Sequence, residues 1–529
     1  MTSLTGTRTM IRLYLRQDRI RLPVWIITLV WLMWVTVLAV KQNYPTPADL
    51  AVYEQALSGS TASIMMGGPP IALDTYGGVS LYETNLVMVI GIGLMAVLLM
   101  TRHTRTDEEA GRTELLRAGV LGRHAPTVAA LTVVGSACLL TGALSATSLY
   151  WIDSSHPAQA ALHGGVVASI GLVFTAAAAV TAQLTPHARG ASGYAVALLI
   201  ASFVLRGIGD VGDSWVTWVS PIGWAQGTHV YGDSRVWPLA LVLAGAVALL
   251  ALAFVLTDHR DLGSGVFAAR PGPARAARSL GTATGLALRL QRATILAWAA
   301  GTAVTGALVG SMSEEIRKMI DENPELAEYL QAEGVDVVEA YYAMMLVTLG
   351  FLAASFGVMS VLRLRSEEAA GRVEPLLATA LSRTRWAVGT RVVTVLGTTA
   401  VLVSGGLGMG LTYGLTLDDP GQIGRLGAAS LAHVPAALVL AGITVLCFGW
   451  VSRAAGVGWT VLAVCFVIAF LGPSLNLPDW VLGISPFDHG PLVPVDPIEA
   501  TPLLLLSALS AALMAGGLAG LRRRDIALT

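Results

Sequence analysis

Residues 84–116 read TNLVMVIGIGLMAVLLMT, then RHTRT, then DEEAGRTELL. The first eighteen carry no charged side chain, and about 20 mostly apolar residues cross a bilayer as a helix. A segment apolar on every side belongs in lipid or deep inside a large core. The run ends on Arg102, His103 and Arg105, then turns acidic at Asp107, Glu108 and Glu109. That order marks a span leaving the membrane on the side that collects arginine.

The whole chain repeats this reading. Of its 529 residues, 54% are apolar and only 13% charged, and the mean hydropathy is +0.67. A soluble domain carries about 25% charged residues. Twelve apolar runs stand out: 24–40, 84–101, 125–150, 163–184, 191–206, 236–257, 294–311, 342–362, 387–416, 429–450, 456–474 and 501–521. Strands of a membrane barrel would be short and alternating, so the expected fold class is an all-α integral membrane protein with twelve transmembrane helices. The net charge of −1 excludes a nucleic-acid binder driven by bulk charge. Cys138, Cys447 and Cys465 all lie in apolar runs, which offers no disulfide framework and no metal-ligand spacing.

Of 33 Lys and Arg residues, 27 fall on alternate loops, the linker and the termini. The positive-inside rule makes that side cytoplasmic. The expectation is a multi-pass plasma-membrane protein with both termini cytoplasmic. The N-terminal apolar run is not read as a signal peptide, because its local pattern recurs in mid-chain.

The acidic segment after span 2 has a counterpart after span 8. Residues 107–116 (DEEAGRTELL) and 367–376 (EEAAGRVEPL) agree at six of ten positions, 260 apart without a gap. Arg105 and Arg123 match Arg365 and Arg383 at the same offset. Arg19 and Trp25 correspond to Arg292 and Trp298, and Trp215…Ser220-Pro221 to Trp480…Ser485-Pro486. Six spans per half, an even number, point both halves the same way, as in parallel-repeat transporters. The expected organisation is a first six-helix half at 1–257, a cytoplasmic linker at 258–285 and a second half at 286–529.

What energises such a chain is constrained by what it lacks. No Asp, Glu, Lys or Arg lies well inside a run; Glu83, Arg206 and Arg391 sit at edges, and His163 and His433 near ends. Ion-coupled transport ordinarily needs an intramembrane ionisable group, which counts against a proton antiporter. A P-loop needs a glycine-preceded lysine for the phosphates, and Lys41 and Lys318 are the chain's two lysines, neither preceded by glycine. Ser404-Gly405-Gly406 lies in an apolar run and reads as close helix packing. The chain is expected to be a transport subunit rather than an enzyme, with no cofactor of its own. An ATPase would be a separate subunit.

The twelve spans, the duplicated Glu-x-Ala-Gly-Arg-x-Glu segment and the missing nucleotide motifs resemble the actinobacterial ABC-2-type permeases of the polyketide-antibiotic or tetronasin-type multidrug exporters. The resemblance covers nearly the whole chain. It implies an ATP-driven exporter of amphipathic or hydrophobic compounds, with ATP and Mg on two copies of a separate ATP-binding subunit. It implies amphipathic helices before the first span of each half (8–22, 281–293), ATPase-docking loops at 102–123 and 363–385, and short re-entrant outer helices within 207–235 and 475–499. An ion-coupled secondary drug exporter and a lipid-processing intramembrane enzyme are the rival readings.

The docking residues on this reading are Glu108, Gly111, Arg112, Glu114, Glu368, Gly371, Arg372 and Glu374. The glycines would permit a turn, and Pro375 in place of Leu115 suits a first helical turn only, which makes the two loops unequal. Helices stabilised by ordinary Glu–Arg pairs are the plainer alternative. A candidate substrate path comprises Trp34, Met88, Met95, Met344, Phe351 and Met359, against simple helix packing. The outer loop 312–341, rich in acids, is either a lure for cations or a solvated helix.

Overall fold

The computed structural model describes residues 3–57, 61–119, 121–261, 263–267, 272–313, 337–471 and 478–525. The chain divides into two compact units, Met1–Gly272 and Pro273–Thr529.

The first unit runs α1 (Thr7–Gln17), α2 (Arg21–Asn43), α3 (Pro47–Leu57), α4 (Thr61–Gly67), α5 (Tyr76–Thr101), α6 (Arg112–Arg117), α7 (Ala125–Ile152), α8 (Pro157–Leu184), α9 (Ala188–Val211), α10 (Pro221–Gln226) and α11 (Trp237–Asp258). The second runs α12 (Ala283–Ser311), α13 (Val337–Ala369), α14 (Val373–Leu377), α15 (Arg383–Leu417), α16 (Gly421–Ser430), α17 (Val434–Trp450), α18 (Val457–Leu471), α19 (Asp479–Leu482) and α20 (Ala500–Arg523). Twelve helical segments are long and apolar enough to cross a membrane. Among the described residues there is no strand. The fold is therefore the all-α membrane class.

Two kinds of surface explain these helices. Outward, Ile27, Val247, Leu296, Leu396, Leu504 and Leu505 are exposed, a spread of apolar surface that water would not tolerate and lipid does. Inward, small residues let backbones touch, the usual device where lipid removes the hydrophobic drive between helices. A Cβ on Gly142 of α7 would sit 2.3 Å from the Gly164 carbonyl oxygen of α8. One on Gly306 of α12 would sit 2.0 Å from that of Gly405 in α15. Ser404 meets Thr302 at 3.0 Å, so the Ser-Gly-Gly stretch is a packing seam.

The spans extend past their apolar runs, and this moves the edge residues inward. His163 lies six residues into α8 and is 6% exposed, and Arg206 is wholly buried in α9. His433 closes the short 3-10 turn that joins α16 to α17. All three side chains are buried within the protein.

The entry helices of the two units differ. In the first, α1 is separate and turns at Asp18–Ile20 into α2. In the second, the expected amphipathic helix at 281–293 is instead the first part of one continuous helix, α12. The residues at the joint account for it. Asp18 sends its carboxylate sideways to His103 and Arg102, whereas Gln291, beside the matching Arg292, stays in the helix and accepts a hydrogen bond from Ser360 at 2.7 Å. Of the outer segments, 207–235 contains α10 and a 3-10 turn at Trp215–Val219, and 475–499 contains α19. Residues 314–336, with most of the acidic outer loop, lie outside the described residues; Glu339 beside them pairs with Arg425 at 2.6 Å.

Candidate functional site

Six alternating helices give each unit two ends. In the first unit, Arg21, Thr101, Ala125, Leu184, Ala188 and Asp258 share the end that also carries α1; we call it the terminus end. The duplicated segment sits there. Beyond α5 the helix opens into a π-type turn over Arg102–Thr106 and runs on to Glu109. Gly111, at φ +72°, stops it and starts α6; a side chain there would strain the backbone.

Glu108 is the centre of this end. Its carboxylate accepts a two-pronged hydrogen bond from Arg260, at 2.8 and 2.9 Å, and another from the Gly263 N–H at 2.7 Å. Arg105 Nη1 lies 2.7 Å away. Arg260 also donates from Nε to Gln183 at 2.9 Å. The forked guanidinium fits a carboxylate edge-on, the strongest common ion-pair geometry. It ties the loop after the second span to the chain leaving the sixth. A second cluster abuts it: Asp18 binds His103 Nε2 at 2.5 Å, and Tyr14 donates to the His103 carbonyl at 2.9 Å. Burial, with Asp107 adding to it, pushes the Tyr14 phenol well up, so Tyr14 remains a donor. Arg112, half exposed, pairs with Asp107 at 2.7 Å.

The second unit builds the same joint. Glu368 accepts a two-pronged bond from Arg524 at 2.6 and 2.9 Å, and Ser452 donates to it at 3.3 Å. Glu367 pairs with Arg363 at 3.2 Å and accepts from the Trp386 indole at 3.4 Å. Gly371 takes φ +66°. One of the matched arginine pairs also acts alike. Arg123 donates to the Thr257 and Asp258 carbonyls, at 2.7 and 2.9 Å, at the end of α11. Arg383 donates to the Arg524 carbonyl, at 3.2 Å, beyond α20. A cation at a helix C-terminus meets unpaired carbonyls and the negative dipole end.

The eight docking residues thus separate into groups. Glu108 and Glu368 are buried and held by arginines of their own chain. Gly111 and Gly371 shape the turns. Arg112, Glu114, Arg372 and Glu374 face outward. Pro375 is the third residue of the single turn α14, where a missing N–H leaves no bond unmade. Sequence reasoning missed Arg260 and Arg524, counting them only toward charge bias. Each follows a sixth span, 152 and 156 residues after its glutamate, and that shared order was the available signal.

The candidate path residues do not form one lining. Trp34 and Met344 are exposed; Met95 and Phe351 are core residues, Phe351 with its ring 4.2 Å from that of Phe487. Met359 packs on the second unit's core. Met88 and Met344 do border cavities. Met88 borders one of about 110 Å³ at the far end of the first unit. Met344 borders one of about 400 Å³ in the second, walled by Phe470 and Phe487. Among the described residues no group of three or more His, Cys, Asp or Glu could hold a metal ion.

Twelve lipid-crossing segments, apolar flanks and loops tied down at one end define a multi-pass membrane protein. Comparison with known proteins makes the class specific: the chain belongs to the multidrug efflux system permeases. Over 526 residues, 99% of this chain and 95% of the relative, it is 36% identical to the multidrug efflux system permease protein Rv1217c of Mycobacterium tuberculosis (strain ATCC 25618 / H37Rv). A family model described as the C-terminal domain of the multidrug efflux system permease Rv1217c matches residues 280–522.

Proposed function

We propose that this chain is the membrane subunit of an ATP-driven exporter of the ABC-2 type, akin to polyketide-antibiotic exporters, and that it moves amphipathic or hydrophobic compounds outward. Two copies of a separate ATP-binding subunit, carrying ATP and Mg, dock on the terminus end of each six-helix repeat, which faces the cytoplasm. The observation that carries this reading is the paired Glu–Arg joint. Glu108–Arg260 and Glu368–Arg524 bind the loop after the second span to the segment after the sixth. A push on either loop is thereby transmitted to two spans rather than one. The exposed Arg112, Glu114, Arg372 and Glu374, with α6 and α14, supply the contact faces. A chain with no P-loop lysine cannot hold the terminal phosphates through that motif.

The test is co-purification of the chain with a co-expressed ABC ATP-binding subunit, with drug-stimulated hydrolysis as the readout. The complex is expected to hydrolyse ATP and the chain alone to be inert; hydrolysis by the repurified chain alone overturns the proposal. Single-cysteine labelling at 453 and 524, against 479, checks the orientation: 479 is expected to react from outside without permeabilisation. Ion-coupled export is the alternative that a particular feature favours. Arg206 and Asp210 form a buried pair in α9, 3.4 Å apart. Asp210 is, however, also held by Thr217 at 2.9 Å, an arrangement suited to fixing a loop. Efflux that persists with ATP depleted and the proton gradient intact would favour the alternative.

A further inference from the structure

The far end of the first unit contains a cavity that nothing above uses. It lies between α5, the start of α8, and α10 with the loop that follows it. Three of its side chains present buried polar atoms with no partner among the described residues: His163 Nε2, Gln226 Oε1 and the Tyr231 hydroxyl. An unmade hydrogen bond at a buried group costs about 1–3 kcal/mol. Three around one empty space call for an occupant.

The positions of these groups are enforced. Gln226 also lines a neighbouring pocket together with Asp210. Asp210 itself is held by Arg206, and Arg206 also donates to the carbonyls of Ile64 and Met66 in α4. Two glycines make room. A Cβ on Gly68, which has φ +97°, would fall 1.8 Å from the Gln226 amide nitrogen, and one on Gly77 would fall 2.0 Å from the Tyr231 ring. The Tyr231 ring also meets His156 edge-on at 5.9 Å. Burial, with Asp153 adding to it, pushes the Tyr231 phenol up to about 12, so it carries its proton at any working pH.

The lining sets the ligand's chemistry. Among the described residues no Asp, Glu, Lys or Arg borders the cavity, and most of its wall is Met88, Val89, Ile92, Val167, Ile170 and their like. A charged ligand would lie there uncompensated at high cost. The Gln226 oxygen only accepts, so the ligand must supply a donor; Tyr231 can return one, and histidine can do either. At about 110 Å³ the space exceeds the ~30 Å³ of one water and approaches the ~150 Å³ of an apolar cavity that takes benzene, so the ligand is small, of the size of a single ring. In the second unit the cavity beside α19 has one buried unpartnered polar atom, Ser485 Oγ, and aromatic walls.

We infer that this cavity of the first unit is a binding site for neutral, largely apolar compounds bearing hydroxyl donors, read by His163, Gln226 and Tyr231. This deepens the export reading and rests on it for its role in transport: it names the substrate chemistry and places recognition inside one half. Binding itself needs no ATPase, so the two claims fail separately.

The experiment uses the full purified chain in detergent and a diazirine-bearing phenol as photolabel, with the phenol's methyl ether as control. Saturable labelling is expected in peptides covering 78–92, 163–170 and 225–231. The methyl ether, Tyr231→Phe and His163→Leu should each weaken it about fivefold, the share of one net hydrogen bond. Val167→Phe, which fills the cavity, should abolish it. Tyr231→Phe removes a single oxygen, so it decides the matter if His163→Leu does not fold. Equal labelling by phenol and ether, wild-type labelling of Tyr231→Phe, or label spread evenly over the lipid-facing helices overturns the inference. Loss of ATPase co-purification would leave it standing.

Discussion

The two terminus-end loops start from nearly the same ten residues and present different faces. Both bury the glutamate against an arginine that follows the sixth span, and both turn on a left-handed glycine. Beyond the glycine they part. In the second unit Val373 is 1% exposed and packs with Leu364, Trp386 and Phe448, and Leu376 and Leu377 join them. In the first, Thr113 stands at Val373's position, and α6 leaves Leu115 78% and Leu116 38% exposed. Two polar-for-apolar exchanges, Thr113 for Val373 and Arg117 for Leu377, separate a short helix drawn into its own core from one offered outward. The anchoring is shared, therefore, while the surface for a partner is individual to each loop.

The largest effect should come from breaking the anchors. Removing one member of a buried ion pair leaves its partner charged and desolvated, a loss of about 3–5 kcal/mol. Glu108→Ala and Glu368→Ala should both lower the thermal unfolding temperature in detergent. Glu108→Ala should do more harm, because it strands Arg105 as well as Arg260 and frees the Gly263 N–H. Glu368→Ala strands a single arginine, Arg524, which keeps its position over the Phe448 ring at 5.2 Å, and frees the Ser452 hydroxyl. Equal shifts would mean that Arg105 adds nothing to the first joint.

These joints show where sequence legibility ends. Apolar runs and arginine bias gave the spans, since both follow from the solvent that surrounds the chain and need no knowledge of which helix meets which. Gly111 and Gly371 were legible as turns because glycine's backbone freedom is local. The destination of Glu108 was not. A partner 152 residues away leaves no local trace, and an acidic residue in a polar loop reads first as solvated. The far-end cavity was hidden for the same reason. His163, Gln226 and Tyr231 come from three separate stretches, and a single buried polar residue in an apolar run says nothing of its neighbours. Met88 was singled out as a path residue on size and flexibility alone, and His163 only as an ionisable group near the end of a run.

A smaller effect tests the shared turns. Gly111 and Gly371 have left-handed φ with open space where a Cβ would go, so alanine meets backbone strain and no clash. About 1–2 kcal/mol of destabilisation is expected at each, and the two values should agree within about 0.5 kcal/mol. Chemical unfolding of Gly111→Ala and Gly371→Ala measures both. A clear inequality would show that one loop takes its shape from something beyond its own turn.

The smallest effect on folding, and the sharpest on function, should come from the outward faces. Glu114 and Glu374 are exposed, and a surface substitution ordinarily moves stability by no more than about 0.5 kcal/mol. Glu114→Arg and Glu374→Arg should therefore leave the unfolding temperature near wild type. If the loops dock an ATP-binding subunit, reversal of charge at a contact should still weaken the complex, by about 2–5 kcal/mol where the pair is desolvated and far less at a rim. The exposed Leu115 and Leu116 beside Glu114 favour desolvation in the first loop; the tucked Leu376 and Leu377 leave Glu374 in a more polar rim. Glu114→Arg should consequently cost more ATPase co-purification and drug-stimulated hydrolysis than Glu374→Arg, and Leu115→Ala should follow Glu114→Arg. Wild-type binding and stimulation in both reversals would make the loops ordinary solvated turns and remove the docking assignment. A greater loss in Glu374→Arg would reverse the comparison and assign the main contact to the second loop, where α14 would then have to leave its core to meet the partner.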